Sequence, residues 1–296
     1  MRWLRKHREA LLITLAAIVG FFLLLYPSVA DWWNRFHQSR VVMSYAESVA
    51  GMSEATYRKC LKEADAYNAK LAESGILWKM DKKQKAEYDA QLNIQKTGVM
   101  GYASIPKIGI TLPIYHSVEE SVLQVAIGHI PGTSLPVGGK GTHTVISGHR
   151  GLPTAKLFTD IDKLKEGDTW TITVLDRTIT YECDQIRVVE PTDVSEINID
   201  PDEDLCTLVT CTPYGINTQR LLVRGHRVAN AQGDAQVTAE AIRIDPVYVI
   251  PFVCAPVLLL FFFLSMLRIS RYQRQKEQIK ETMQELSGKR KEQTTA

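Results

Sequence analysis

Long apolar runs lie near both ends of the chain. The first covers residues 10–30 and the second residues 247–267, and each is about as long as the 20 or so residues that cross a bilayer. The first run exceeds the 7 to 15 apolar residues typical of a cleaved signal sequence, although Ser28-Val29-Ala30 resembles a cleavage site. We favour two membrane spans, with a signal sequence and a buried core helix as the respective alternatives.

Basic residues flank the two runs on their outer sides. They lie within residues 1–9, before the first run, and within the tail 268–296, after the second. Because positive charge is retained on the cytoplasmic side, this pattern places both termini in the cytoplasm. The sequence therefore predicts a two-pass protein of the cell membrane whose segment 31–246 is extracellular.

The pattern of apolar and polar residues in the extracellular segment changes near residue 98. Helical spacing dominates residues 31–97, first over 31–49 and then after a probable N-cap at Ser53. From there to residue 230 short β-branched runs alternate with Gly and Pro, which is typical of a β-barrel or sandwich. The predicted strands are 101–105, 111–115, 142–147, 169–175, 178–190, 205–211 and 220–228. Short surface helices are predicted over 121–127 and 154–164, a tight turn at Asp176-Arg177, and a linker over 231–246.

Composition excludes several classes of function. The chain has 296 residues, and 35 Lys and Arg against 33 Asp and Glu leave a net charge of +2, too small for nucleic-acid binding. A mean hydropathy of −0.11 excludes a polytopic transporter. Five scattered cysteines form no zinc motif, and the acidic run 200–204 is typical of a solvated loop, so we predict no metal and no cofactor. The sequence does not decide whether Cys183 and Cys206 form a disulfide.

Three residues at predicted strand ends suggest chemistry. Cys211 ends an apolar strand before a Pro/Gly turn, and a hairpin to Arg220 would bring a cation beside its sulfur. His149 ends another strand between glycines and has the acid/base character that a thiol nucleophile needs. Taken one at a time, Cys211 has the alternative of a core thiol, His149 that of a loop histidine and Arg220 that of a surface cation.

The segments around these residues resemble the sortases, membrane-bound cysteine transpeptidases of Gram-positive bacteria. The resemblance is carried by Thr-Leu-Val-Thr-Cys-Thr-Pro-Tyr-Gly at 207–215, Asn-Thr-Gln-Arg-Leu-Leu-Val-Arg-Gly-His-Arg at 217–227 and Ser-Gly-His-Arg-Gly-Leu-Pro at 147–153. The helical N-terminal segment and the second apolar run are similar to class C, the pilus-assembling sortases. The resemblance implies a mainly β fold, a closed sortase-like barrel with short surface helices, preceded by N-terminal helices and flanked by two membrane helices.

The resemblance also implies roles for these residues. Cys211 would be the nucleophile, His149 the general acid/base and Arg220 the oxyanion donor, with Thr210 lining the substrate groove. The implied reaction cleaves a Leu-Pro-x-Thr-Gly-like sorting signal between Thr and Gly through a thioacyl enzyme and joins the Thr carbonyl to a pilin lysine. The implied partners are pilin subunits, other surface proteins with such signals and the plasma membrane.

One region departs from the class C pattern. Class C sortases carry a lid with Asp-Pro followed by an aromatic residue, whereas residues 74–81 hold Trp78 and Asp81 in the opposite order and no proline. We therefore expect a degenerate or absent lid. The alternative functions are attachment of proteins to peptidoglycan, a cysteine peptidase, or a non-catalytic assembly scaffold; a papain-like peptidase is disfavoured because His149 precedes Cys211.

Overall fold

A computed structural model describes residues 8–230 and scattered helical positions between 259 and 283. The chain divides into two compact units, residues 1–241 and 242–296. Most of the predicted second membrane span, including Cys254, lies outside the described residues. All elements described below belong to the first unit.

Helix α1 (Arg8–Ala50) is continuous over 43 residues and contains Pro27. The sequence predicts a span followed by a separate helix from residue 31, but no break separates the two parts. Part of this helix, Ala16–Ala50, is long and apolar enough to cross a membrane, with a mean hydropathy of 1.4 in its most apolar window and none of that window buried. Proline is better tolerated in membrane helices than in soluble ones, which is consistent with Pro27 in this element.

Two further helices complete the N-terminal segment, as expected for residues 31–97. Helix α2 (Glu54–Ser74) begins at Ser53, whose side chain accepts a hydrogen bond from the Thr56 backbone N–H, so the predicted N-cap is confirmed. Helix α3 (Lys82–Ala90) begins at a capping box between Asp81 and Gln84.

Eight strands form a closed barrel in the order β1-β2-β3-β4-β7-β8-β6-β5. The mainly β fold and closed barrel are therefore confirmed. The strands are β1 (Val99–Ile105), β2 (Ile110–Tyr115), β3 (Ile127–His129), β4 (Thr142–Ser147), β5 (Thr169–Val174), β6 (Arg177–Val189), β7 (Asp204–Thr212) and β8 (Gln219–Val228). Strands β4 and β7 are parallel neighbours, whereas β7 and β8 are antiparallel.

Three local predictions need correction. The predicted helix 121–127 is the single turn α4 (Glu120–Leu123), and its last predicted residue begins β3. The predicted helix 154–164 is a loop with one 3-10 turn (Ile161–Lys163), because Leu157 adopts a φ of 35° that is incompatible with a right-handed helix. The tight turn lies at Leu175-Asp176, since Arg177 already pairs with Val174.

The barrel interior holds the main hydrophobic core, and the two cysteines considered for a disulfide lie in it. Trp170, Tyr181 and Phe158 are among its fully buried side chains. Cys183 and Cys206 are free and buried, and each pairs with Gly225 from opposite sides of β8. They are two strand spacings apart, about 9.6 Å, which exceeds the reach of a disulfide.

Candidate active site

The hairpin of β7 and β8 places Cys211 beside Arg220. The two residues are direct partners in the antiparallel register, one pair before the end of the ladder at Thr212 and Gln219. Both side chains are half-buried. The Arg220 Nη1 donates to the carbonyl oxygens of Asn217 (3.3 Å) and Gln219 (3.0 Å), which holds the guanidinium at the hairpin loop. The predicted cation therefore lies on the strand next to the thiol.

His149 reaches the same edge through the parallel pairing of β4 with β7. The last registered pair is Ser147 with Val209, and the Gly148 N–H continues the ladder by donating to the Val209 carbonyl at 3.1 Å. His149 follows directly, with 26% of its side chain exposed. A side chain at Gly148 would collide with Phe158, so glycine permits this close packing. The structure thus brings together the ends of the strands that carry all three predicted residues.

Thr210 connects the two strand ends. Its side chain is buried, and its hydroxyl donates to the Gly148 carbonyl oxygen at 2.7 Å. This contact fixes the backbone from which His149 projects. The role in lining the groove stays a prediction.

Glu120 is a neighbour of His149 that the sequence analysis missed. Its Oε2 lies 3.2 Å from His149 Nε2, so the ring nitrogen donates to the carboxylate. The Gln124 side-chain amide, and after it the His149 imidazole, hold the pKa of the Glu120 carboxyl below its usual value. Glu120 belongs to a one-turn helix 29 residues before His149, and no motif links the two in the sequence.

Arg150 joins the loop after β4 to the loop after β7. Its Nη1 donates to Thr212 Oγ1 at 3.3 Å, and its guanidinium lies 5.8 Å from the ring centre of Tyr214. It also pairs with Asp162. The two loops beside Cys211 and His149 are therefore held to each other.

A small apolar cluster lies on the outer face of the barrel that also carries Cys211. Side chains alternate along a strand, so Val209 faces the same side as Cys211, two residues away. We call this set the groove cluster; its buried members are Val145, Ile197, Val209 and Leu222, with Ile76, Ile130 and Val189 packed against them. Its four buried members are at most 7% exposed, so they form an apolar layer that adjoins the thiol and is covered in part by Ile76.

The segment between α2 and α3 reaches the groove cluster through Ile76. The next residue, Leu77, donates its N–H to the Gly132 carbonyl oxygen at 3.0 Å. Trp78 is 45% exposed, and Asp81 Oδ1 accepts the Gln84 N–H at 2.8 Å as the α3 cap. Ile76 is thus the residue of this segment that packs on the groove cluster, and a degenerate or absent lid at Trp78 and Asp81 stays a prediction.

The other described cysteines are unsuited to nucleophilic chemistry. Burial raises the pKa of Cys206 to about 12 and that of Cys183 to about 11, so both remain thiols at neutral pH. Burial also raises the pKa of Cys60, which packs against the core from α2. Cys211 is the described cysteine at a strand end beside a cation.

Comparison with known proteins identifies the family. A Sortase domain model matches residues 103–228. Sortase A of Bacillus anthracis is 33% identical over 151 residues, which cover 51% of this chain and 69% of that protein. The chain belongs to the sortase family. Sortases are cysteine transpeptidases, so this protein is an enzyme of that type, and the scaffold alternative is wrong.

Solved sortase structures refine the comparison towards class C. Sortase C1 from Streptococcus agalactiae is 53% identical, with a TM-score of 0.64, and the match covers 65% of this chain and 100% of that one. Sortase C from Clostridium perfringens, solved with the C-terminal cell wall sorting motif, is 40% identical, with a TM-score of 0.57. The match covers 64% of this chain and 99% of that one. This sortase is therefore most like class C.

Within residues 8–230 and the described positions beyond them, no group of three or more His, Cys, Asp and Glu side chains is placed to hold an ion. The predicted side chains at the barrel edge are a thiol, an imidazole and a guanidinium, and the Glu120 carboxylate lies beside the imidazole.

Proposed function

We propose that this sortase cleaves a Leu-Pro-x-Thr-Gly-like sorting signal between Thr and Gly and joins the Thr carbonyl to a lysine amine of a pilin subunit. The observation that carries the proposal is the pairing of Cys211 with Arg220 at the end of β7, the strand to which the backbone of Gly148, the residue before His149, is bonded. The similarity to class C sortases supports the choice of a lysine acceptor.

In the first half-reaction the Cys211 thiolate attacks the Thr carbonyl carbon. The carbon–nitrogen bond to Gly then breaks, His149 donates a proton to the leaving amine, and a thioester to Cys211 remains. Arg220, on the neighbouring strand, donates hydrogen bonds to the oxygen on which negative charge develops. Two acyl-transfer steps replace one difficult amide exchange.

In the second half-reaction the lysine ε-amine attacks the thioester carbon. His149 accepts the proton that the amine loses, an isopeptide bond forms, and the Cys211 thiolate is released. Glu120 accepts the hydrogen bond from His149 Nε2 and so orients the imidazole ring. Glu120 is a positioning residue in this scheme, since it acts through the imidazole.

The groove cluster is the proposed site for the apolar part of the sorting signal. Leu and Pro of the signal are apolar, and the cluster extends from Val209 beside Cys211 towards Ile197 on the loop after β6. Burial of such side chains on an apolar surface favours binding by about 25 cal/mol per Å². Ile76 occupies part of this surface, so we propose that the segment after α2 moves when the signal binds.

We propose further that helix α1 anchors the enzyme in the plasma membrane. The helix continues without a break past Ala30, where a signal sequence would be cleaved. The next residue, Asp31, accepts a hydrogen bond from the Lys156 backbone N–H, so the helix is bonded to the barrel directly after the span. The second span, with both termini in the cytoplasm, is part of the same proposal. The domain division made from the sequence, with the barrel over 98–230, is retained as a proposal as well.

Competition between acceptors tests the reaction. The enzyme is incubated with a sorting-signal peptide and equal amounts of a lysine-bearing pilin-derived peptide and a peptidoglycan-type amine, and products are separated by mass. We expect the lysine product to dominate and to disappear in Cys211→Ala. Dominance of the peptidoglycan-type product would assign the enzyme to cell-wall attachment, and release of the free acid alone would assign it to the peptidases.

A further inference from the structure

We propose that helix α1 holds the catalytic end of the barrel against the outer surface of the lipid bilayer. The proposal rests on the proposed membrane anchor and concerns the orientation and height of the active site. It follows from the order in which the barrel's loops contact one continuous helix.

The contacts follow α1 outward from the predicted end of the span at residue 30. Asp31 Oδ1 accepts the Lys156 N–H at 2.8 Å, and Asn34 Nδ2 donates to the Thr154 carbonyl oxygen at 2.9 Å. A helix rises about 1.5 Å per residue, so Asn34 lies about 6 Å above the span along the helix axis. The loop that follows His149 therefore meets the helix where it leaves the membrane.

The next contact holds the segment that carries Glu120. Gln38, which is buried, donates to the Val125 carbonyl oxygen at 2.7 Å, two residues after the end of α4. Gln38 lies about 12 Å above the span on the same scale. The loop that follows His149 and the segment that carries Glu120 are thus both bonded to the membrane-proximal turns of α1.

The last contact of the series lies far from the membrane. The Tyr45 hydroxyl donates to the Met100 carbonyl oxygen and accepts the Leu175 N–H, both at 2.8 Å. Tyr45 lies about 22 Å above the span. Contacts at four heights on one rigid helix fix the orientation of the barrel, with the His149 loop at the lower end and the start of β1 at the upper end.

Exposed apolar side chains mark the same end of the barrel. Tyr214 and Ile216, in the loop after Cys211, are 59% and 67% exposed, and Tyr214 packs on the backbone of Gly151 in the His149 loop. On α1 the exposed aromatic residues Trp32 and Trp33 follow the span directly. Aromatic side chains at this depth are typical of the bilayer interface. The surface that covers this patch is therefore the phospholipid headgroup layer.

The consequence for function concerns the substrate's position. An active site held at a fixed height acts best on sorting signals that lie at that height, such as signals joined to a membrane-embedded segment. The spacer between signal and membrane then determines the rate, because a tether that does not span the distance lowers the effective concentration steeply.

Insertion of seven alanines between Ala30 and Asp31 of the full chain in lipid nanodiscs tests this height. The insertion leaves every contact from Asp31 onward intact and raises the barrel by about 10 Å over about two helical turns. The substrate is a sorting signal joined to an apolar helix by spacers of increasing length. We expect the best spacer to lengthen by about three extended residues, at about 3.3 Å each. At the original best spacer we expect a fall in rate of about tenfold. A matched insertion of seven Gly and Ser residues should broaden the spacer dependence instead.

An unchanged best spacer in the alanine variant would overturn the proposal. The same signal free in solution serves as the control, and the native chain and both variants should turn it over at equal rates. Failure of the native chain on the free signal would count against the proposed reaction and not against the orientation.

Fluorescence quenching tests the orientation without catalysis. A fluorescent amino acid replaces either Ile216 or Asp202, which lie beyond opposite ends of β7, a strand of nine residues and about 30 Å. Spin-labelled headgroup lipids should quench the probe at 216 and leave the probe at 202 bright. Equal quenching at both positions, or quenching at 202 alone, would contradict the proposed orientation.

Discussion

Replacement of Thr210 by Val should weaken both the fold and catalysis. The change is nearly isosteric but removes the hydroxyl that donates to the buried Gly148 carbonyl oxygen at 2.7 Å. A buried acceptor left without its donor destabilises a protein by about 1–3 kcal/mol. For a domain of about 200 residues, a loss of about 2 kcal/mol lowers Tm by about 4–8 °C.

The same change should lower kcat, because Gly148 carries His149. Misplacement of a catalytic group by about 1 Å costs up to about 100-fold in rate, and we expect a loss of about tenfold here. Denaturant unfolding gives the free energy, and transfer of a sorting-signal peptide gives kcat. Thr210→Ser keeps the hydroxyl and is the matched control, with kcat close to native. A Val variant with native stability and native kcat would refute the role of this hydrogen bond.

Three further predictions follow from individual contacts. Glu120→Gln should lower kcat about two- to fivefold with KM unchanged, since an exposed carboxylate is a weak constraint on its partner; an unchanged kcat would remove Glu120 from the scheme. Burial lowers the pKa of His129 to about 4, so this residue stays neutral in the fold while the unfolded chain takes up a proton below about pH 6.5. The contribution of neutral His129 to the free energy of unfolding is complete above pH 6.5 and is lost as pH falls to about 4, a total of about 3 kcal/mol. His129→Gln should therefore flatten the measured pH dependence of the unfolding free energy over that range. Tyr45→Phe should destabilise the protein by about 2 kcal/mol in denaturant unfolding, because two buried backbone groups lose their partner; native stability of this variant would show that α1 is not docked through Tyr45.

The sequence predicts the long strands β7 and β8 well. The predicted run 205–211 falls within β7, and 220–228 falls within β8. In β7 the first seven residues are all buried, and a short continuous apolar run rich in β-branched residues and bounded by turn residues predicts such a strand without alternation. Strand β3, with three residues, has too few positions for such a pattern, and its first residue, Ile127, falls at the end of a predicted helix. The sequence also predicts a helix over 154–164, whereas the Phe158 N–H donates to the His149 carbonyl oxygen, nine residues earlier, and not to the residue four positions back as in a helix.

In the candidate site, too, some residues can be predicted from local spacing and others cannot. Cys211 and Arg220 are nine residues apart in one hairpin, so local spacing is sufficient to predict their pairing. His149 joins them only through the parallel pairing of β4 with β7, which spacing alone does not reveal. Glu120 has no local signal at all, because its contact with His149 depends on how α4 packs beside the barrel edge. The continuity of α1 was hidden by the change from apolar to polar residues at residue 31.

Intact-mass analysis detects a thioacyl enzyme at Cys211, the intermediate through which both proposed half-reactions pass. The full chain is incubated with a Leu-Pro-x-Thr-Gly-like peptide, and its mass is compared with that of Cys211→Ala treated in the same way. We expect the mass of the native chain to increase by that of the peptide up to its Thr, minus one water, and the increase to disappear when a lysine amine is added. An equal gain on the Cys211→Ala chain, or no gain on either chain while the peptide is cleaved, would contradict this intermediate.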